Sequence, residues 1–408
     1  MNDLPYITDP SLAVGAGLRE RPEDFVVEEI PLYPACGEGT WVYATIEKRG
    51  IPTPTAVDRF SRALGRPRRD VGYAGLKDAR AVTRQTLCIE HVDPARVAAL
   101  RLPDLRVLSV TRHRNKLKVG HLWGNRFVVR LRDVPAAAAR DIEAILDVLR
   151  RRGVPNYFGP QRFGTRGDTW QIGRALLRGD PVEALSLFCG RPTEHDNDAV
   201  RQARRCFDAG DYRGAAAAWP PNFTDPRAAC GALADGRRPR EALRRIRGSL
   251  LRLFTSAFQS WLFNGVLAQR IASLDRLMVG DLAWRHAGGA VFRVEDLDAE
   301  QPRADAMEIS PSGPLFGRQM TQPHGRPAEI ERAVLDGEGL RIEALPAAGP
   351  GRLTGARRPL RVPLGDATVS CGQDDAGQYV ALTFHLPAGS YATALLREVV
   401  KDSSRPSG

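Results

Sequence analysis

The sequence predicts an α+β protein in which one sheet-containing domain is interrupted by a second, mainly helical domain. Three observations lead to this prediction. Segments with strand character lie before residue 156 and after residue 358, whereas the residues between them are mostly helical in pattern. The chain has 408 residues, which is enough for two domains. Hydrophobic residues make up 43% and charged residues 26%, a balance typical of globular proteins.

The first part of the chain is predicted to contain most of the strands. An apolar run with flanking carboxylates covers 23–30, and 40–47 is rich in β-branched and aromatic residues. A helix is predicted over 55–64, with Thr55 as its N-cap and Gly65 as its stop. Further strands are predicted at 71–74, 86–90, 106–112 and the second half of 120–132, followed by a helix over about 136–152.

Beyond residue 155 the hydrophobic period is mainly that of helices. Helices are predicted at 174–178, 181–188, 196–209, 239–247, 253–271 and 329–335, and the fifth of these is apolar on nearly all sides. Residues 278–326 are rich in Gly and Pro, with short strands such as 290–294. A basic loop over 348–359 is predicted as a domain boundary, and a strand over 378–386 and a helix from Ala394 follow it.

The chain is basic, with 59 Lys and Arg against 48 Asp and Glu and a formal net charge of +11. Such an excess favours a polyanionic partner, although a generally Arg-rich protein is the alternative. The six cysteines include no Cys-x-x-Cys and no zinc spacing, so free thiols in a reducing, cytoplasmic compartment are expected. The N-terminus does not have the pattern of a signal peptide, and no apolar run reaches the ~18 residues of a membrane span.

One stretch, 69–85, places a carboxylate among several cations. It is predicted to form a short strand, a turn at Gly75 and then the pair Lys77-Asp78. Alone, this pair favours an exposed charged turn. Basic residues here and in the later strands are candidates for phosphate contact, with a solvated sheet face as the alternative. They are Arg80, Arg84, Arg112, Arg114, Lys116, Lys118, Arg126 and Arg130.

Six stretches taken together resemble the TruD family of pseudouridine synthases, which convert uridine 13 of tRNA to pseudouridine. They occur in the family's order and run nearly from end to end of the chain. They are Pro22-Glu-Asp-Phe-Val-Val-Glu28, Tyr73-Ala-Gly-Leu-Lys-Asp78, Gly124-Asn-Arg-Phe127, Val154-Pro-Asn-Tyr-Phe-Gly-Pro-Gln-Arg-Phe-Gly164, Phe258-Gln-Ser-Trp-Leu-Phe-Asn264 and Leu386-Pro-Ala-Gly-Ser-Tyr-Ala-Thr393.

The resemblance implies a pseudouridine synthase catalytic domain with a mixed β-sheet, formed by 1–155 and 359–408. It implies that 156–358 form an inserted, mainly helical α+β TRUD domain. It also implies tRNA as the partner, no metal and no organic cofactor, and no obligate protein partner is predicted. The alternatives are the same chemistry on another RNA, or an RNA-binding protein without activity.

By the same resemblance, Asp78 is the catalytic carboxylate. It would act as a nucleophile or as a general base at the sugar, and the sequence leaves both roles open. Phe127 would stack on the uracil, and Asn125 would contact the substrate. Phe25 and Tyr391 match two further aromatic positions, with Tyr391 standing where Phe is usual. Phe25 could instead be a core residue, and Asn125 could satisfy a turn.

A cation beside Asp78 would support the charged carboxylate beneath a bound base. Lys77 is adjacent in sequence, but neighbouring side chains often diverge. Arg19 stands where the family often has Lys, and it is the favoured electrostatic partner.

Overall fold

The computed structural model describes residues 4–18, 20–346 and 353–401. The strands are β1 (Gly17–Leu18), β2 (Phe25–Pro31), β3 (Trp41–Arg49), β4 (Gly72–Tyr73), β5 (Val82–Glu90), β6 (Arg101–Leu102), β7 (Leu105–His113), β8 (Leu122–Arg132), β9 (Val154–Pro155), β10 (Leu282–Arg285), β11 (Val291–Arg293), β12 (Ile309–Leu315), β13 (Ala356–Pro359), β14 (Arg361–Val362), β15 (Gly365–Asp374) and β16 (Gly377–Pro387).

The helices alternate with these strands at the two ends of the chain and dominate its middle. They are α1 (Thr53–Ala63), α2 (Pro94–Ala98), α3 (Ala138–Arg152), α4 (Thr169–Leu177), α5 (Pro181–Cys189), α6 (Asp198–Asp208), α7 (Tyr212–Ala218), α8 (Thr224–Ala234), α9 (Pro239–Leu243), α10 (Gly248–Arg270), α11 (Leu297–Asp305), α12 (Gly325–Gly337) and α13 (Ala392–Val400). Within the described ranges, no helix is long and apolar enough to cross a membrane.

The chain divides into two compact units. The sheet unit contains Tyr6–Val154 and the chain from Val362 onward, and the helical unit contains Pro155–Arg361 with Leu4 and Pro5. The sheet unit holds a ten-stranded sheet in the order β15-β16-β8-β2-β5-β3-β7-β6, with β1 beside β8 and β4 beside β5. Strands β2 and β5 are parallel, whereas β2 and β8 are antiparallel, so the sheet is mixed. The predicted α+β class is confirmed.

One face of this sheet is apolar and carries the helices. In β3, Val42, Ala44 and Ile46 are fully buried, because alternate residues of a strand point to the same face. Helix α1 packs Phe60 against this face. The helix begins at Thr53, two residues before the predicted N-cap, with Pro52 preceding it.

The end of the chain completes the sheet unit. Strand β16 lies between β15 and β8, and α13 follows it. Glu398 of α13 is buried and accepts hydrogen bonds from the amides of Ile7 at 3.2 Å and Thr8 at 3.1 Å. The Thr8 hydroxyl donates to the same carboxylate at 2.8 Å. Burial raises the pKa of Glu398, although these donors oppose the rise. The C-terminal helix therefore anchors the N-terminal segment.

The helical unit differs from the prediction in several elements. Helices α7 and α8 were not predicted, and α11 forms within the Gly- and Pro-rich region. Strand β12 contains Pro311 and Pro314, residues that argue against a strand because they lack an amide donor. The carbonyl of Pro311 nevertheless accepts from the amide of Leu360 at 2.9 Å. The predicted loop over 348–359 is wrong for 356–359, which form β13, and 348–352 lie outside the described residues.

Candidate active site

Asp78 lies on the irregular loop between β4 and β5. Its side chain is half-buried, and its Oδ1 accepts a hydrogen bond from the amide of Arg80 at 2.9 Å. The loop bends without a left-handed residue at Gly75, and a Cβ there would meet only Lys77 Nζ, at 3.7 Å. The shape of the loop therefore comes from side chains beneath it rather than from the freedom of a glycine.

Lys48 is the first of these side chains. It is fully buried, and its Nζ donates to the carbonyl of Asp78 at 2.8 Å and to that of Ile51 at 2.7 Å. Burial lowers the pKa of Lys48 to about 8, while attraction to the Asp78 carboxylate opposes the shift. Lys48 is therefore still mainly a cation at neutral pH, and it holds the main chain of Asp78 from below.

Lys77 provides a second anchor. Its side chain and that of Glu29 are each only 4% exposed, and Nζ lies 2.9 Å from Glu29 Oε2. Glu29 Oε1 also accepts from the amide of Thr86 at 3.2 Å. The charge of Lys77 is thus matched by Glu29.

A third anchor runs through the start of α1. The amide of Lys77 donates to Thr53 Oγ1 at 2.9 Å, and the Thr53 hydroxyl donates to Gln85 Oε1 at 2.9 Å. Thr53 and Gln85 are both buried. The two residues at the tip of the loop, Lys77 and Asp78, are therefore held by contacts to β2, β3, β5 and α1.

These anchors belong to a row of polar side chains across the apolar face of the sheet. The pairing of neighbouring strands places Lys48 beside Thr83, and Thr83 beside Val27. Glu29 follows Val27 on the same face and lies opposite Asn125 of β8. Three buried polar atoms in this row have neither a hydrogen-bond nor an ion-pair partner among the described residues: Thr83 Oγ1, Gln85 Nε2 and Asn125 Oδ1.

An aromatic cluster lies next to Asn125 on this face. The Phe25 and Phe127 ring centroids are 6.1 Å apart, and Phe127 stacks on Phe384 at 5.2 Å. Phe25 is 3% exposed and Phe127 is 6% exposed, so both rings are also core residues. The structure therefore brings together three predicted substrate residues, Phe25, Asn125 and Phe127, on adjacent strands.

The remaining predicted residues lie elsewhere. Tyr391 is half-buried at the N-cap of α13, on the connection that follows β16. Strand β16 pairs Leu386 with Asn125, so this connection leaves the sheet close to the Asn125 end of β8. Arg19, the favoured partner of Asp78, lies outside the described residues.

The opposite face of the sheet carries an ordered set of ion pairs. Glu28 contacts Arg126 at 2.8 Å and also pairs with Arg84, which contacts Glu47 at 2.8 Å. Burial would raise the pKa of Glu28, but hydrogen bonds from the two arginines lower it overall. Arg130 lies 2.9 Å from Asp374. Most of the charge that suggested phosphate contact on this strand is therefore neutralised within the protein.

Sequence reasoning missed Lys48, Glu29, Thr53 and Gln85. A signal for two of them was present, because Lys48 is in phase with buried Ile46, and Glu29 with buried Val27. Charged residues at the end of a strand are usually solvated, so the phase alone was not decisive.

The arrangement presents a carboxylate on a fixed loop beside a buried face with aromatic rings and unpartnered polar atoms. Such a site can hold a planar polar ring and place a negative charge next to it. Within the described part of the chain, no three His, Cys, Asp or Glu side chains are grouped to hold a metal ion.

Comparisons with known proteins agree on one family. The family model described as tRNA pseudouridine synthase D (TruD) matches residues 2–399. The chain is 49% identical over 403 residues to tRNA pseudouridine synthase D of Geobacter sulfurreducens, covering 98% of this chain and 97% of the relative. It is 48% identical over 399 residues to that of Geobacter metallireducens, covering 97% of each. The crystal structure of the putative tRNA pseudouridine synthase D from Methanosarcina mazei is 28% identical, with a TM-score of 0.83 over 98% of this chain and 96% of that one.

Proposed function

Because this chain belongs to the TruD family of tRNA pseudouridine synthases, we propose that it isomerises uridine 13 of tRNA to pseudouridine with Asp78 as the catalytic carboxylate. Family membership makes it a pseudouridine synthase, an isomerase that acts within one nucleotide. The choice of uridine 13 and the assignment of Asp78 are the parts that we propose.

The reaction needs no redox partner. The bond between N1 of uracil and C1′ of ribose breaks, the base rotates, and a bond forms between C5 and C1′. The proton on C5 is lost and N1 gains one, so atoms and electrons balance. The protein must extract the base, which costs a few kcal/mol for a stacked nucleotide. It must then stabilise the electron-poor sugar and retain the detached uracil.

The anchored loop is the observation that carries the assignment of Asp78. Lys48 and the Lys77–Glu29 pair fix the main chain on either side of the Asp78 side chain. A carboxylate that is fixed before the substrate arrives loses little freedom in the transition state. Asp78 would either attack C1′ or remove the proton from C2′, and both roles need its charge close to the sugar.

The detached uracil would be held by the residues that face the same side of the sheet. Asn125 Oδ1, which has no partner among the described residues, would accept a hydrogen bond from N3–H of uracil. Phe127 would lie against the ring, with Phe25 and Tyr391 closing the apolar sides. Lys77 would act through Glu29 and the loop, because its ammonium is committed to that buried pair.

We further propose that 1–155 and 359–408 form the catalytic domain and that 156–358 form the inserted TRUD domain. The division of the chain into a sheet unit and a helical unit supports this assignment. A tRNA substrate also supports a cytoplasmic location.

The test of the catalytic assignment is Asp78→Asn. The variant should fold and bind in vitro transcribed tRNA as the wild type does, yet form no pseudouridine detectable by carbodiimide-based mapping. Asp93→Asn is the matched control, because exposed Asp93 only caps α2 and asparagine preserves that cap. Pseudouridine formation by Asp78→Asn at more than about 1% of the wild-type rate would remove Asp78 from the mechanism.

The choice of uridine has its own test. A transcript with cytidine at position 13 should contain no pseudouridine after incubation with the wild type, whereas the parent transcript should be modified there only. Modification at any other uridine would contradict the target while leaving the synthase activity intact.

A further inference from the structure

We propose that an exposed apolar rim beside the Asp78 loop binds the nucleotides on either side of the target uridine. The rim consists of Leu76, Val119 and Trp123, with Arg80 and Lys118 as its cations. This inference rests on the proposed RNA substrate and adds a second subsite, outside the pocket for the target base.

The rim is unusual in its exposure. Leu76 is 68% exposed, Val119 75% and Trp123 49%. Large apolar side chains that remain exposed in one place mark a surface that another molecule covers. Leu76 precedes Asp78 by two residues, and Trp123 precedes Asn125 by two residues. Both are therefore close along the chain to residues assigned to the substrate pocket.

Hydrogen bonds tie the Val119 segment to the Asp78 loop and hold the main chain of Trp123. The amide of Gly120 donates to the carbonyl of Ala74 at 2.8 Å, which ties the Val119 segment to the start of the Asp78 loop. The amide of Ala388 donates to the carbonyl of Trp123 at 2.9 Å. Trp123 has no partner in β2, because the β2–β8 pairing skips it at an irregularity. The main chain of Trp123 is thus held while its indole remains exposed.

The cations of the rim differ from the other basic candidates. Arg84, Arg114, Arg126 and Arg130 pair with carboxylates. Arg112 and Lys116 donate to main-chain carbonyls. Arg80 and Lys118 are exposed, and neither side chain has an ion-pair or hydrogen-bond partner in the ranges that the structure describes. Of these basic candidates, Arg80 and Lys118 are therefore available to bind phosphate.

This combination fits a nucleotide chain better than a protein. An indole stacks on any nucleobase, and unpaired cations bind the phosphates between the bases. An enzyme that extracts one base must also hold the neighbouring bases, because they lose their stacking partner when the target leaves. Leu76 and Trp123, each two residues from an assigned pocket residue, would contact those neighbouring bases.

The first experiment measures the Kd of uridine-13 tRNA transcripts for Trp123→Ala, Trp123→Phe and the control Leu108→Ala, an exposed apolar residue on β7. Trp123→Ala should raise the Kd roughly tenfold, as expected for one stacked base. Trp123→Phe should recover most of the affinity, and Leu108→Ala should bind as the wild type does.

Transcripts with an abasic nucleotide at position 12 or 14 make the test specific. If a flanking base stacks on Trp123, one of these transcripts should bind the wild type about tenfold more weakly. The same transcript should then bind Trp123→Ala no more weakly than the intact transcript does. Fully additive losses at both positions would overturn the stacking proposal.

The second experiment measures the salt dependence of Kd. Lys118→Gln and Arg80→Gln should each reduce the slope of log Kd against log salt by about one. Arg96→Gln is the matched control, since Arg96 is exposed on α2 and has no ion pair among the described residues. An unchanged slope for both rim variants would overturn the assignment of these cations.

The proposal and the proposed function can fail separately. If wild-type protein modifies another uridine, the proposed target is wrong, and the abasic positions are moved to flank that uridine. If Trp123→Ala binds RNA with the wild-type Kd while the wild type modifies position 13, the rim proposal is wrong and the proposed function stands.

Discussion

Replacing Lys48 by methionine should greatly lower the catalytic rate but only slightly lower the free energy of unfolding. The substitution keeps most of the side-chain volume and removes the ammonium that holds the carbonyls of Asp78 and Ile51. We expect a folded protein whose kcat is about 100-fold lower, because a displacement of about 1 Å at a reacting group costs this much.

The expected stability follows from two opposing terms. Two hydrogen bonds from a charged donor are lost, at about 1.5–3 kcal/mol each. The cost of burying the ammonium is also removed. The lowering of the Lys48 pKa from 10.5 to about 8 corresponds to about 3.5 kcal/mol, at about 1.4 kcal/mol per pKa unit. The net loss in the free energy of unfolding of Lys48→Met should therefore be at most about 2.5 kcal/mol.

The assays are urea denaturation for stability, Kd for tRNA, and single-turnover pseudouridine formation.

The pH dependence of stability and of the rate provides a further check. The folded-state pKa of Lys48 lies below its unfolded value, so this group alone adds stability as pH rises from about 8 to 10.5. The wild-type rate should nevertheless fall above about pH 8 as the ammonium loses its charge, and Lys48→Met should lack this decline. If Lys48→Met folds and its kcat is within about threefold of the wild type, Lys48 does not hold Asp78 in its reactive position. If the variant is unfolded, the lost hydrogen bonds outweigh the removed cost of burying the ammonium by more than we expect.

Three other substitutions follow from the same geometry. Glu29→Gln should lower the free energy of unfolding by about 3–5 kcal/mol, because it leaves the buried Lys77 charge uncompensated. The double variant Glu29→Leu, Lys77→Met removes both charges and should recover most of that loss, as measured by urea denaturation. Gly124→Ala should destabilise the protein by at least about 1–3 kcal/mol and abolish activity, since its Cβ would lie 2.3 Å from the carbonyl oxygen of Leu386; a wild-type Tm would contradict this. Hydrogen bonds from the Arg132 guanidinium hold the pKa of Asp374 well below its usual range, so Asp374→Asn should lower the Tm at neutral pH. The difference in Tm between the variant and the wild type should narrow as pH falls below about 4. A difference in Tm that persists in acid would count against the ion pair.

Much of the sheet unit could be predicted from local pattern. The run 106–112 corresponds to β7 and the run 378–386 to β16, since alternation and β-branched residues mark half-buried strands. The helix over 136–152 corresponds to α3, and Gly153 ends it as expected, with a positive φ of 83°. In the helical unit, β12 could not be predicted because its prolines and glycine oppose a strand locally, and tertiary pairing overrides them.

The residues of the candidate site could be predicted from the sequence, but the side chains that hold the Asp78 loop could not. Motifs identified Asp78, Asn125 and Phe127, but nothing in the sequence linked Lys48 to the Asp78 loop, 30 positions away. The partners of the Lys77–Glu29 pair are further apart still, at 48 positions along the chain. Single-sequence patterns report which face a residue occupies, whereas the choice of partner depends on the three-dimensional arrangement.

The charged residues of β8 show the same limit of prediction from the sequence. Alternation correctly placed Arg126 and Arg130 on one face, yet their carboxylate partners, Glu28 and Asp374, come from different strands. Net charge therefore indicated a polyanionic partner without indicating which cations remain available to it.

The position of β16 between β15 and β8 has a consequence for synthesis on the ribosome. About 245 residues separate the end of β8 from the start of β16. At about 5–20 residues per second, translation of this stretch takes on the order of 12–50 s. Throughout that time the nascent chain carries β8 as an unpaired edge, the kind of strand that promotes aggregation. The helical unit emerges within the same interval, so its residues leave the ribosome before β16 and α13, which complete the sheet unit.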